Sequence, residues 1–67
     1  MNASTEDVAK AALLRLTVAK TYARRGDRYH AKKFANRASH ILADIDVDLL
    51  SQGLAAEIAK AYRLLND

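Results

Sequence analysis

The chain has 67 residues, no cysteine, no proline, two glycines and a formal net charge of +3. That length allows one domain, residues 1–67, burying only about 60% of its unfolded surface, so marginal stability is expected. Disulfides and thiolate metal sites are excluded, and His30 and His40 stand too far apart in sequence to pair on a metal.

Alanine is abundant and β-branched residues are scattered, which predicts an all-α fold. Helix 1 is expected over about 5–25. Ser4 caps it in a Ser-x-x-Asp box closed by Asp7, and Glu6 and Asp7 suit the positive end of the helix dipole. Arg24 and Arg25 suit its last carbonyls, and Gly26 is the left-handed stop. Val8, Ala12, Leu16, Ala19 and Ala23 recur at helical spacing, widened by Ala11, Val18 and Tyr22, with Lys10, Thr17, Lys20 and Arg24 opposite. Arg15 falls inside this apolar arc. Its stem is expected to snorkel across the core edge; the alternatives are an ion pair with an acid on helix 3 such as Glu57, or a place in a binding groove.

Asp27 caps helix 2, expected over about 28–43. Ala31, Phe34, Ala35, Ala38, Ile41 and Leu42, continued by Ile45, make its core stripe. Asp46, Asp48 and Ser51 can each cap helix 3. Asp46 is preferred, giving a helix over about 47–65, because Val47, Leu50, Leu54, Ile58, Ala61 and Leu65 then share one face beside Tyr62. Gly53 would be interior, at about 1 kcal/mol relative to alanine, and would serve a close helix approach. Short connections make neighbouring helices antiparallel, so the expected architecture is an up-down-up three-helix arrangement.

The run from Ala12 to Leu42 resembles a tetratricopeptide repeat. Tyr22 matches the family's tyrosine, Ala19 stands at its usual glycine, Gly26-Asp27 fits the turn, and Ala31 and Ala38 match its small residues. Arg15, Ala35 and Ala43 replace the usual tryptophan, phenylalanine and proline. The three-helix plan also resembles the microtubule-interacting-and-trafficking domain, although Tyr62 is followed directly by Arg63. Both resemblances imply docking of a peptide or helix in an interhelical groove.

Charge is uneven. Residues 24–40 hold six lysines and arginines against Asp27 alone, while residues 41–67 hold five acids against Lys60 and Arg63. On helix 2, His30, Lys33, Arg37 and His40 follow one side with Tyr29 near the top, a candidate face for an acidic protein partner. Leu13, Leu14, Leu49 and Leu64 lie off the apolar stripes and are candidates for an oligomer or partner interface, including a homodimer.

Asp44, Asp46 and Asp48 open like a calcium loop, but Leu49 and Ala55 stand where that loop needs glycine and glutamate, so no metal is expected. Ser39 and His40 are adjacent on a helix and point apart, and no phosphate loop occurs; neither catalysis nor a cofactor is expected. No apolar run approaches the roughly 20 residues of a membrane span, and MNASTED lacks signal-peptide order, so a cytoplasmic location is expected. The expected function is that of a protein–protein interaction module (adaptor, assembly factor or inhibitor). The alternative is a basic nucleic-acid-associated protein using the Arg24–His40 face.

Overall fold

A computed structural model describes residues 4–66 as three α-helices in up-down-up order, with no strand among the described residues. They are α1 (Thr5–Arg24), α2 (Arg28–Ala43) and α3 (Gln52–Asn66), with a 3-10 turn at Val47–Leu49 ahead of α3. No helix among the described residues is long and apolar enough to cross a membrane.

Local chemistry sets the first two helices. The Ser4 side chain accepts a hydrogen bond from the Asp7 amide at 3.1 Å, satisfying a donor that the first turn leaves free. The end of α1 is a Schellman motif. The Asp27 amide donates to the Tyr22 carbonyl and the Gly26 amide to the Ala23 carbonyl, each at 3.0 Å. This geometry needs a left-handed residue, and Gly26 supplies it with φ of 81°. Asp27 then caps α2, accepting from the His30 amide at 3.1 Å. One glycine and one aspartate therefore reverse the chain.

The core is small and rich in alanine. Ala9, Ala12, Leu16, Ala19, Ala31, Ala38, Leu50, Leu54 and Ile58 are buried. Alanine on facing helices allows close approach, and α1 lies along α2 over most of its length. α1 also takes α3, over a smaller area, whereas α2 and α3 barely touch.

Because α1 packs against two neighbours, its buried arc is wider than one stripe and centred differently from the sequence expectation. Ala9 rather than Val8 is fully buried, Ala23 is exposed, and Leu13 is half-buried against the core. Leu13 is therefore a core-edge residue rather than part of a free apolar surface. Arg15 is half-buried with its guanidinium donating to the Ala11 carbonyl at 3.1 Å, the snorkelling outcome. No Arg15–Glu57 ion pair forms among the described residues.

α3 starts later than the preferred expectation. Asp46 does cap, but only the 3-10 turn: its carboxylate accepts from the Asp48 amide and its carbonyl from the Leu49 amide, both at 3.0 Å. Ser51 caps the α-helix, with its hydroxyl accepting from the Leu54 amide at 3.4 Å and its carbonyl from the Ala55 amide at 3.0 Å. This start places Gly53 in the first turn, where its propensity cost is smaller than in the interior. A Cβ at Gly53 would meet nothing within 4 Å, so no close helix approach requires glycine there. Gly53→Ala is accordingly expected to stabilise the domain by about 0.4–1 kcal/mol, by restricting the unfolded chain. Thermal or urea unfolding measures it, and a lower midpoint would place Gly53 in a conformation that alanine cannot adopt.

Candidate docking surfaces

On the His30–His40 side of α2, Tyr29, Lys33, Arg37 and His40 are exposed, whereas His30 is half-buried. Tyr22 from α1 inserts between His30 and Phe34, stacking at 5.0 Å and 5.6 Å between ring centroids. Tyr29 meets His30 edge-on at 5.2 Å, and the Arg37 guanidinium lies 5.4 Å from the Phe34 ring centre. His30 is further tied to its own cap, with Nδ1 2.7 Å from Asp27 Oδ2; the carboxylate accepts, so Nδ1 carries the proton. His30 is therefore half-buried and structural. Lys33, Arg37 and His40 are exposed, but Arg37 leans on the stack, leaving Lys33 and His40 as the freely projecting members. Tyr29 projects strongly, at 73% exposure.

The same cluster perturbs Asp27. The backbone hydrogen bond from His30 holds its carboxyl below its ordinary value of 3.8; partial burial opposes this, and the bond to the His30 ring and that ring's charge add to it. The folded state thus resists protonating Asp27 more than the unfolded state does. Its stabilisation is present above the ordinary carboxylate value and is lost as pH falls through the depressed one. Asp27→Asn keeps a capping side chain without the charge. The melting-temperature gap between wild type and this variant is expected to be full above the ordinary carboxylate value and to close as pH falls below it, through the depressed one. A gap independent of pH would show that the charge on Asp27 contributes nothing.

A concave surface exists elsewhere. Where α2 and α3 diverge beside the end of α1, they enclose a groove of about 690 Å³. Its apolar lining comes from Ala23, Ala31, Ala35, Leu64 and Leu65. Lys20, Arg24, Arg28 and Lys32 line it as well, with no aspartate or glutamate among the lining residues. Tyr62 and Ser39 also line it, joined hydroxyl to hydroxyl at 2.8 Å across α3 and α2. Net positive charge beside apolar side chains attracts anionic groups while offering surface to bury. A second, shallower depression of about 500 Å³ sits at the other end of the hairpin, lined by Thr5, Val8, Ile41, Asp44 and Ile45.

No protein-family model matches the chain, and no curated protein or solved structure is significantly similar to it.

Of the four off-stripe leucines, three are open: Leu14 at 63%, Leu49 at 69% and Leu64 at 42% exposure. They do not form one patch by sequence position. Leu14 is on α1, Leu49 is at the tip of the turn before α3, and Leu64 borders the groove. The groove cations were visible as a basic segment, but their grouping was not. Lys20 reads as the face of α1 opposite the core, and only the packing of three helices brings it beside Lys32 and Tyr62. Among the described residues, no three side chains of histidine, aspartate or glutamate gather as a metal site would require.

Proposed function

We propose that this chain is a small, non-catalytic protein–protein interaction module that docks an acidic partner surface, or a second copy, in the groove between α2 and α3. The observation carrying this reading is the groove itself: alanine and leucine side chains lined alongside Lys20, Arg24, Arg28 and Lys32 without a neutralising acid. Exposed Leu14, Tyr29, Leu49 and Leu64 add unpartnered apolar area to a domain whose own core is small. The resemblance of the Tyr22–Ala38 hairpin to a tetratricopeptide repeat supports the same class, since hairpins of that kind present grooves to peptides.

Two double charge reversals test this reading. Arg24→Glu with Lys32→Glu alters the groove, and Lys33→Glu with His40→Glu alters the outer side of α2. All four residues are exposed, so folding is expected to change by no more than about 1 kcal/mol. Immobilised wild-type protein is expected to retain acidic proteins from native lysate. The groove variant should lose them, and the outer-face variant should keep them. Equal retention by both variants would remove the groove from the function. Retention of nucleic acid instead, weakening steeply with salt, would favour phosphate binding.

A further inference from the structure

The molecule carries both halves of a complementary contact at opposite ends. Resting on the docking reading above, we infer that the groove receives the Asp44–Leu49 turn of a second copy of this chain, so that copies associate head to tail.

The turn has the chemistry that the groove lacks. Asp44, Asp46 and Asp48 are all exposed, and no lysine, arginine or histidine occurs between Ile41 and Ala59. Leu49, at the turn's end, is 69% exposed although it adjoins buried Leu50. An exposed leucine following three carboxylates matches a groove lined by alanine and leucine side chains together with Lys20, Arg24, Arg28 and Lys32. The match cannot be satisfied within one molecule. Arg24 and Arg28 flank the start of α2, Asp44 follows its end, and its 16 residues span about 24 Å. A second copy must therefore supply the turn.

The contact joins two different surfaces, so it has no two-fold symmetry. Each copy keeps one free turn or one free groove after pairing, and association proceeds past the dimer to an open chain or a ring. Its charged groups lie at the rim, where they steer association and are screened by salt.

Sedimentation over a concentration series at low ionic strength tests the inference. Wild-type average mass is expected to rise above the monomer's 7.4 kDa and to pass the dimer value. It should fall back as salt is raised from about 0.05 to about 1 M. Asp44→Lys with Asp48→Lys reverses the turn but spares Asp46, which caps it. Arg24→Glu with Lys32→Glu neutralises the groove, because Lys20 and Arg28 remain. Each variant alone is expected to remain monomeric. An equimolar mixture should pair again, because the unchanged acidic turn of the groove variant meets the unchanged basic groove of the turn variant. Leu49→Ser, on an exposed position, should weaken assembly without lowering the helical circular dichroism. The inference is overturned if wild type stays at monomer mass throughout, or if either charge variant assembles alone as wild type does. If wild type is monomeric while the groove variant loses an acidic partner that wild type binds, only the self-docking occupant is wrong. If the groove variant loses nothing, the docking reading fails as well.

Discussion

Replacing Leu16 with alanine is expected to lower the melting temperature by at least about 10 °C, the largest effect of any single truncation in this chain. Leu16 is the largest fully buried side chain among the described residues. It belongs to the cluster that joins Ala9, Ala12 and Ala38 to Leu50, Leu54 and Ile58, so it contributes to both helix interfaces of α1. Leucine-to-alanine truncation in a core costs about 2–5 kcal/mol through lost burial and the cavity left behind. A domain of this size has only about 3–10 kcal/mol of stability in total. The surrounding alanines are short and cannot lean into the vacated space, which places the cost toward the upper end. Differential scanning calorimetry or thermal circular dichroism measures the shift. A loss of less than about 1 kcal/mol would mean that α3 does not rest on α1 as described.

Ala38→Leu acts in the opposite sense, by overfilling. Ala38 has no exposed surface and sits in the same cluster, on the face of α2 turned toward α1. Three added carbons must push α2 away from α1 or force strained rotamers, at about 1–3 kcal/mol. Ala31→Leu is expected to cost less, because Ala31 retains 7% exposure and borders the groove, where part of a leucine side chain can extend. Urea unfolding of the two variants ranks them. Equal midpoints for Ala38→Leu and wild type would show that the α1–α2 interface is not close-packed at that point. A larger loss for Ala31 than for Ala38 would reverse the assigned depth of the two alanines.

Both predictions depend on alanine spacing that is already visible in the sequence, and this marks what the sequence by itself determines. Ser4, Gly26 and Asp27 act on backbone groups within four or five residues of themselves. Such contacts form whatever the rest of the chain does, so the bounds of α1 and α2 and the reversal between them follow from local chemistry. The periodic placement of Ala12, Leu16, Ala19, Ala31 and Ala38 likewise commits these residues to the buried side.

Tertiary structure decided the rest. Asp46, Asp48 and Ser51 offered three caps of comparable local quality. The chain uses Asp46 for a short 3-10 turn and Ser51 for α3, which brings Leu50 and Leu54 into the core and leaves Gly53 in the first turn. Leu13 is half-buried because α1 has two neighbours, a fact that no periodicity within one helix contains. His30 sits on the solvent side of α2 by its spacing, yet it stacks on Tyr22 from another helix, which also stacks on Phe34 beneath Arg37. The basic groove has the same origin. Lys20, Arg28 and Leu64 lie on three different helices with no common period, and they become one surface only because α2 and α3 both pack on α1 and then diverge. Local hydrogen bonds decide where helices begin and end, whereas burial is shared among helices far apart in sequence. The pairing of those helices therefore determines which charged residues are left to face one another across a cleft.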